Sequence, residues 1–374
     1  MHALFKAARK RWPTKLAMSS REREAVRLKR LQGVFEKARE VGRLTQPARA
    51  RQFEILKRNG RGKRPVVSFF WVDQARQMML RSALQPFANL HEDQFMLARE
   101  RKRRGPAAVR EALLAALAEC GTETEFLHLD VVNFHGSISQ VWLERHLGID
   151  PAVTKRQVHL GGMMIGTTGK MTTVHATHEA SDEVDAQNIG AAVCRRQSQE
   201  GGQRGIPQGS MLSCLIAEQV MASVIRSAVV FAELPTFIWS DNIGVLVSRR
   251  RAGEVVELVQ AAFARHGAGP FNLTITRHPV IEEFKFLGVN YRLSGGEAKA
   301  YVAQPIVNAW EIAVGSRLLH ASPIEIAEIE QHIQNKKAVW KWWFGWPLVE
   351  VRLRRMVQAA HDAVGAMGGP VKGV

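Results

Sequence analysis

The segment Phe237-Ile-Trp-Ser-Asp-Asn-Ile-Gly-Val-Leu-Val247 decides how this chain is interpreted. Two apolar runs rich in β-forming residues flank the polar residues Ser240-Asp-Asn242, which predicts a hairpin centred on these three residues. A strand that ends at Asp241 can direct the carboxylate into a cleft, where oxygen ligands suit Mg²⁺. Asp241 is therefore a candidate metal ligand.

A second aspartate occurs in the same context. Phe126 to Asp130 is another apolar run, and Val131-Val-Asn-Phe-His-Gly-Ser-Ile138 follows it. Taken alone, an aspartate at a strand end is more often a cap or a turn residue than a metal ligand. The interpretation of Asp130 and Asp241 as metal ligands is better supported for the two together, because the turn-forming string Gly205-Ile-Pro-Gln-Gly-Ser210 lies between them in chain order.

Length and composition limit the class of protein. A chain of 374 residues, 46% of them apolar, is long enough for a large core and several subdomains and is too apolar for a disordered chain. The three cysteines match neither a zinc spacing nor a disulfide framework, which predicts a reducing, cytoplasmic environment. No apolar run approaches the roughly 18 residues of a membrane span, and the N-terminus lacks the apolar core of a signal peptide. We therefore expect no membrane partner.

The positive charge is concentrated in the first third of the chain. Residues 1–110 hold 28 Lys or Arg against 9 Asp or Glu, whereas the remaining residues are close to neutral within a net charge of +17. A basic segment attracts polyanions and releases their counterions on binding, so nucleic acid is the first candidate partner. Charge alone is equally compatible with a solvated basic face or a contact with an anionic membrane.

Local patterns predict mixed helices and strands. Ser19 and Glu22 resemble a capping box, which predicts a basic amphipathic helix near residues 20–41. Other predicted helices are Pro106 to Glu119, an apolar helix from a Ser210 cap to about Val230, Gly253 to Arg265, and the region from Pro305 onward. Predicted strands are Phe53 to Leu56, Val66 to Val72, the two aspartate strands, and Phe284 to Tyr291. Residues 161–205 predict irregular or mixed structure, and the whole predicts an α+β fold.

The ordered strings resemble bacterial reverse transcriptases, nearest the retron, group II intron and defence-associated (abortive infection) branches. The resemblance covers about residues 53–293. Its five partial matches, in chain order, are Ile55-Leu-Lys57 with Gly62-Lys-Arg-Pro65, Asp130 to Ile138, Gly205 to Ser213 continuing to Glu218, Trp239 to Asn242 at the Tyr-x-Asp-Asp position, and Phe286-Leu-Gly288. Five ordered matches are far more specific than any one of them.

The resemblance implies a right-hand polymerase with an antiparallel palm sheet. Its expected parts are a basic helical extension at 1–50, fingers at 51–125, a palm at 126–295 with a fingers insertion at about 150–204, and a helical thumb at 296–374. The implied reaction is RNA-directed DNA synthesis that extends a nucleic-acid 3′ end by two-metal nucleotidyl transfer.

The resemblance also implies a catalytic set. Asp130, Val131 and Asp241 are the expected metal ligands, for Mg²⁺ or alternatively Mn²⁺. Asn242 stands where the family usually has a second aspartate and is expected to act as a weakened third ligand. Replacing a carboxylate by an amide removes one negative charge, so we expect weaker Mg²⁺ binding and a slow enzyme.

Residues expected to bind the incoming nucleotide come from three of the matches: Lys57, Arg64, Phe134, His135, Gln208 and Gly209. Arg and Lys suit phosphate contacts, and glycine allows close backbone approach. His135 stands where the family usually has Phe or Tyr beneath the sugar, so we expect measurable incorporation of ribonucleotides. Core packing of Phe134 and a structural role for His135 are the alternatives.

Residues expected to bind primer and template are Trp239, Ser240, Leu287, Gly288, Lys336, Lys337 and Trp342. The last three belong to a stretch that interleaves cations with aromatic rings, a pattern that suits stacking on bases. Core packing of a helical thumb explains Trp340 and Trp343 equally well, and we favour it for at least half of these tryptophans. His175 and His178 lack a third ligand at a supporting spacing, so zinc has little support.

Three functional readings follow from these residues. The first is a cytoplasmic reverse transcriptase of bacterial antiviral defence, with an RNA template, a nucleic-acid primer and nucleoside triphosphates as partners. The second is an RNA-dependent RNA polymerase, favoured by His135 but opposed by Pro207-Gln-Gly-Ser210. The third is an inactive RNA-binding scaffold, to which Asn242 and the basic first third point, working beside a non-coding RNA or a second protein subunit.

Overall fold

The computed structural model describes residues 32, 37–56, 63–98, 100–167, 170–173, 204–319, 321–340, 343 and 345–367. It is a mixed α+β structure with small, mainly antiparallel sheets, as the sequence predicts. The predicted helix near residues 20–41 falls largely outside the described residues, which within this range are helical at Gln32 and in helix α1, Ala38–Val41. The chain forms two compact units. The first is Met1–Gly105, His128–Val245 and Arg250–Thr276, and the second is Pro106–Leu127, Leu246–Arg249 and Arg277–Val374.

A hairpin begins the first sheet. Strands β1, Arg49–Leu56, and β2, Lys63–Phe69, pair antiparallel, which confirms the predicted hairpin; residues 57–62 lie outside the described part. Strands β4, Met164–Thr167, and β5, Lys170–Thr173, complete the sheet in the order β2-β1-β4-β5. The pair β1 and β4 is parallel.

The predicted extension of β2 to Val72 is wrong, because helix α2 begins at Trp71 and runs to Leu84. Asp73 lies in the first turn of α2, where a negative charge interacts favourably with the helix dipole. Its carboxylate is fully buried and accepts hydrogen bonds from Arg49 and Arg76. These pairings favour helix where the apolar sequence alone suggested strand.

The second sheet contains the two aspartate strands. Its order is β6-β7-β3-β8, where β3 is Thr124–Val131, β6 is Thr236–Trp239, β7 is Asn242–Ser248 and β8 is Leu273–Pro279. The predicted hairpin is confirmed, since β6 and β7 pair antiparallel. Helix α3, Pro106–Ala118, precedes β3 and confirms the predicted helix. Short helical segments follow β3: α4, Phe134–Ser137; α5, Gln140–His146; and α6, Pro151–Val153, which continues as a π-helical turn to Val158.

Helix α7, Ser213–Ser227, crosses the core of the first unit and is lined by buried apolar side chains. The predicted cap at Ser210 is wrong, because the helix begins three residues later. The Ser210 hydroxyl accepts from the N–H of Leu212, while the Ser213 hydroxyl donates to the carbonyl of Pro207. The short helix α8, Val230–Glu233, follows, and helix α9, Ala252–Arg265, agrees with its prediction.

The third sheet belongs to the second unit. The single strand predicted from Phe284 to Tyr291 is in fact two strands, β9, Phe284–Phe286, and β10, Val289–Ser294, which pair antiparallel around a turn at Leu287 and Gly288. Strand β11, Glu297–Tyr301, pairs with β10. Phe126 of β3 stacks on Phe284 with a centroid separation of 4.3 Å.

Three helices follow, in agreement with the predicted helical C-terminal region. They are α10, Gln304–Leu318; α11, Pro323–Trp340; and α12, Trp346–Met367. They share one buried apolar cluster that includes Ile326, Ile329, Trp340, Trp346 and Leu353. The predicted boundaries of fingers, palm and thumb are functional divisions and stay a prediction.

Candidate functional site

The tip of the β6–β7 hairpin is a two-residue turn made by Ser240 and Asp241. Trp239 and Asn242 face each other across the hairpin and close the turn. Ser240 has a φ of 57°, in the left-handed region that residues other than glycine seldom adopt. Such a conformation persists only where surrounding groups support it.

Glu218 of helix α7 supplies one supporting contact. Its Oε1 atom accepts a hydrogen bond of 3.1 Å from the backbone N–H of Ser240. The Glu218 side chain is 0% exposed, and this burial raises its pKa to about 7. The nearby charge of Asp241 raises the pKa further, whereas the Ser240 hydrogen bond lowers it. A buried carboxyl group therefore lies next to the turn and titrates near neutral pH.

The two candidate aspartates lie on adjoining segments of backbone. Strands β7 and β3 are neighbours in the sheet, and the N–H of Val131 donates to the carbonyl oxygen of Asp241 at 3.1 Å. Asp130 immediately precedes Val131 and is exposed, while Asp241 is half-buried. The fold thus places two aspartates that are more than 100 residues apart in the sequence on hydrogen-bonded, neighbouring segments of backbone.

Both the nitrogen and the oxygen of the Asn242 side-chain amide have hydrogen-bond partners within the protein. Its Nδ2 atom donates to Oδ1 of Asp241 at 3.2 Å, and its Oδ1 atom lies 3.2 Å from Nε2 of His128. The oxygen that would ligate a cation therefore pairs with His128, and the amide presents N–H groups to Asp241. In this geometry Asn242 acts first as a hydrogen-bond donor to the catalytic candidate.

The Gly205–Ser210 loop connects three elements around these strands. The N–H of Gly205 donates to the carbonyl of Ile138, and the N–H of Ile206 donates to the carbonyl of His135, both at 2.8 Å. On the other side, the N–H of Val67 in β2 donates to the carbonyl of Gln208, also at 2.8 Å. The loop therefore joins the segment after Asp130 to the β1–β2 hairpin.

Gly209 shows why this loop needs glycine. Its φ is 106°, and a Cβ atom built there would lie 2.3 Å from the carbonyl oxygen of Val67, so a side chain would push the loop away from β2. The neighbouring Gln208 side chain is half-buried, and among the described residues its Oε1 atom finds no hydrogen-bond partner. A buried acceptor without a partner is a place where a ligand can donate.

The predicted nucleotide residues of the Asp130–Ile138 match are of two kinds. Phe134 is 2% exposed and packs against Phe271 with a centroid separation of 5.4 Å, so its core role is the observed one. His135 is half-buried, and its backbone carbonyl holds the Gly205–Ser210 loop through Ile206. His135 is therefore the less buried of these two side chains.

Several predicted site residues are not joined to this turn. Lys57 and Trp342 lie outside the described residues, and Arg64 is described only as backbone, paired with Ile55 in the β1–β2 hairpin. Leu287 and Gly288 form the β9–β10 turn of the second unit. Trp239 and Ser240 lie at the turn itself, and both are half-buried.

The cations and tryptophans near the C-terminus make structural contacts. Trp340, Trp343 and Trp346 are buried, which confirms core packing for these three. Lys336 Nζ lies 4.1 Å from the centroid of the Trp340 ring, and Lys337 Nζ donates to Glu350 at 2.7 Å. Both lysines are half-buried, so part of each side chain still faces solvent.

A cation site here would rest on few protein ligands. Within the described residues, no group of three or more His, Cys, Asp and Glu side chains is arranged to hold a metal ion. Mg²⁺ in nucleotide sites is often bound by only one or two carboxylates together with substrate phosphates. Asp130, Asp241 and the backbone carbonyl of Val131 are hard oxygen donors of this kind, so the residues present fit the ion in chemical type.

The sequence assigned no role to three residues that support the turn. These are Glu218, His128 and Gln94. The available signal was a lone carboxylate within the apolar helix segment Leu215-Ile-Ala-Glu-Gln-Val220, since glutamate is rarely buried without a specific contact. The partners of these residues lie far away in the sequence, so no local pattern identifies them.

Two further findings are the absence of a membrane-spanning helix among the described residues and the absence of a match to known families and curated proteins. None of the helices in the described ranges combines the length and the apolar character needed to cross a membrane. No protein-family model matches the chain, and no curated protein matches it either.

Proposed function

We propose that this protein is an RNA-directed DNA polymerase, a reverse transcriptase that extends a nucleic-acid 3′ end. The observation that carries the proposal is the hydrogen bond from Val131 to Asp241, which joins the two aspartate segments. The Gly205–Ser210 loop supports it further, because it is hydrogen-bonded to both His135 and Val67. Segments that the resemblance links to one reaction thus share one network.

The catalytic roles follow from side-chain chemistry. Asp130, Asp241 and the carbonyl of Val131 would hold Mg²⁺, with Mn²⁺ as the alternative ion. Bound divalent ions activate an attacking hydroxyl and stabilise a leaving pyrophosphate. Asn242 donates a hydrogen bond to Asp241 and so lowers the electron density on that carboxylate, which agrees with a slow enzyme.

Substrate binding draws on the remaining residues of the network. The unpartnered Gln208 oxygen and the close backbone approach at Gly209 support a nucleotide pocket between the loop and β2. Lys57 and Arg64 would bind its phosphates, and His135 would face its sugar. Primer and template would contact the half-buried Trp239 and Ser240, together with Leu287, Gly288 and the cations Lys336 and Lys337. The excess of positive charge in residues 1–110 suits an RNA template.

Primer extension on a defined RNA template tests the proposal. The assay uses dNTPs or NTPs, in Mg²⁺ and in Mn²⁺, and compares the wild-type protein with Asp241→Ala. We expect a DNA product that depends on the template and is lost in Asp241→Ala. Absence of product under every condition, with RNA still bound, would instead support the scaffold reading that Asn242 suggests.

An RNA-dependent RNA polymerase is the second candidate, and His135 favours it. An imidazole is smaller and more polar than Phe or Tyr, so it excludes a ribose 2′-hydroxyl less well. We expect the wild-type enzyme to incorporate some ribonucleotides and His135→Phe to incorporate fewer. A strong preference for dNTPs that His135→Phe leaves unchanged would rule out this role for His135. A predominantly RNA product would establish the second candidate.

In either case bacterial antiviral defence in the cytoplasm is the setting that we propose.

A further inference from the structure

Glu218 is a fully buried carboxyl group in a helix whose neighbouring side chains are apolar. Leu215, Ile216, Val220 and Met221 around it are also buried. Burying a carboxyl group costs free energy unless specific hydrogen bonds compensate for it. A buried glutamate in this position therefore calls for an explanation beyond packing.

Two hydrogen bonds of Glu218 lead to the β6–β7 hairpin. Its side-chain Oε1 accepts from the N–H of Ser240 at 3.1 Å, and its backbone carbonyl accepts from Nε2 of Gln94 at 2.8 Å. Gln94 is fully buried and forms a parallel bridge with Ile238 of β6. Helix α7 is thus tied to the turn directly and, through Gln94, to the strand that leads into it.

The backbone of the turn explains why such a contact is needed. The pair Trp239 and Asn242 closes the hairpin, so the N–H of Ser240 lies beyond the ladder that joins β6 and β7. Ser240 also holds a positive φ of 57°, which is unfavourable for a residue with a Cβ atom. The hydrogen bond to Glu218 compensates for both, and the next residue along the chain is Asp241.

We propose that Glu218 is a positioning residue that holds Ser240 in the left-handed conformation and thereby directs the Asp241 carboxylate. The effect on catalysis rests on the proposed polymerase function, whereas the effect on the turn does not. A neutral amide oxygen accepts the same hydrogen bond, so glutamine should replace Glu218, and an apolar side chain of similar size should not.

The pair Glu218→Gln and Glu218→Leu tests the catalytic part. Because small misplacements of a catalytic group reduce turnover strongly, we expect Glu218→Leu to lower kcat about 10- to 100-fold. The KM for the nucleotide should change less than about twofold, since the substrate contacts are intact. Glu218→Gln should stay within about threefold of the wild type. Equal loss in both variants, or a loss that appears only in KM, would overturn the proposal.

Hydrogen exchange of the Ser240 amide tests the structural part independently of activity. In protein labelled with ¹⁵N-serine, the Ser240 N–H should exchange slowly in the wild type and in Glu218→Gln. In Glu218→Leu we expect exchange to be faster by about tenfold, as for loss of one charge-assisted hydrogen bond. Rapid exchange in the wild-type protein would overturn the proposal even if Glu218→Leu fails to fold.

The two experiments separate two kinds of failure. A wild-type protein that makes no product refutes the polymerase function, while the exchange rates still decide whether Glu218 holds the turn. An active wild type with a fast-exchanging Ser240 amide refutes only the role of Glu218.

Discussion

Two hairpins of this molecule have turns of the same length but different support. The β6–β7 turn contains Ser240 and Asp241, and the β9–β10 turn contains Leu287 and Gly288. Each begins with a residue other than glycine at positive φ, 57° at Ser240 and 49° at Leu287. Their second residues differ, because Gly288 also has a positive φ, of 81°, whereas Asp241 does not.

The surroundings of the two turns differ more than their backbones. A Cβ atom added at Gly288 would meet no atom within 4 Å, so this turn projects into open space and relies on its glycine. The first turn has no glycine and is held by Glu218, by Val131 and by the amide of Asn242. Its strain is maintained by specific polar contacts, which is typical of functional sites.

The largest expected difference between the two turns is in their effect on catalytic activity. We expect Asp130→Asn and Asp241→Asn each to reduce primer extension by at least about 10²- to 10³-fold, because each removes a charge that acts on the transition state. Asp362→Asn, the same change at an exposed position in α12, should retain wild-type activity. Thermal melting should show that all three variants fold. Full activity in Asp241→Asn would mean that the first turn is not catalytic.

Lowering the pH should affect the stability of the unit that carries the first turn. His159 lies in the first unit, and burial lowers its pKa to about 4 from an ordinary 6.5. Between pH 6.5 and pH 4 the unfolded chain takes up a proton that folded His159 does not, so the contribution of His159 to the free energy of unfolding decreases as the pH falls. The loss over this window should be on the order of 3 kcal/mol.

Denaturant unfolding at several pH values measures this loss. His159→Asn, whose amide oxygen can accept the N–H of Gly161 as Nδ1 does, should lack this contribution, so the wild type should lose stability relative to this variant as the pH falls. His361→Asn, an exposed position in α12, should leave the wild-type profile unchanged. A wild-type profile parallel to that of His159→Asn between pH 6.5 and pH 4 would contradict the buried neutral state of His159.

Asn242 offers a way to strengthen the first turn as a cation site. Asn242→Asp restores a third negative charge near Asp241, so we expect the Mg²⁺ concentration for half-maximal activity to fall by about tenfold. The added charge is the cause only if Asn308→Asp, an exposed position in α10, leaves that concentration unchanged. Titration of activity with MgCl₂ gives both values. A higher Mg²⁺ requirement in Asn242→Asp would show that the hydrogen bond from Asn242 matters more than charge.

The smallest expected effect lies in the second turn. Gly288→Ala forces a residue with a Cβ atom to adopt a φ of 81°, which should destabilise the protein by about 1 kcal/mol. Gly253→Ala is the matched control, since Gly253 lies in helix α9 with open space around it and should be stabilised by a similar amount. Urea unfolding measures both the expected loss of stability in Gly288→Ala and the expected gain in Gly253→Ala. Unchanged stability in Gly288→Ala would mean that the second turn does not depend on glycine.

The two turns also show how far sequence reasoning reached. The β6–β7 hairpin was predictable because polar residues interrupt two apolar runs. The β9–β10 turn was not, since Phe286-Leu-Gly-Val289 reads as one continuous strand and leucine seldom adopts positive φ.

The candidate site was predictable in part for a related reason. Motif order placed Asp130 and Asp241 in one site, and the fold puts them on adjoining segments. The contact between Glu218 and Ser240 depends on how α7 packs, and a single sequence carries no local signal for such packing. The cap expected at Ser210 failed because the Ser210 hydroxyl accepts from the N–H of Leu212, the residue that precedes the first turn of α7.

Four of the indole rings that the structure describes in the second unit lie close together. The Trp340 ring centroid lies 5.4 Å from that of Trp310, 6.5 Å from that of Trp343 and 6.3 Å from that of Trp346. At such separations electronically excited rings couple and exchange energy, so the four fluoresce as one ensemble rather than as separate emitters. Near-ultraviolet circular dichroism and emission from this ensemble therefore follow the packing of α10, α11 and α12.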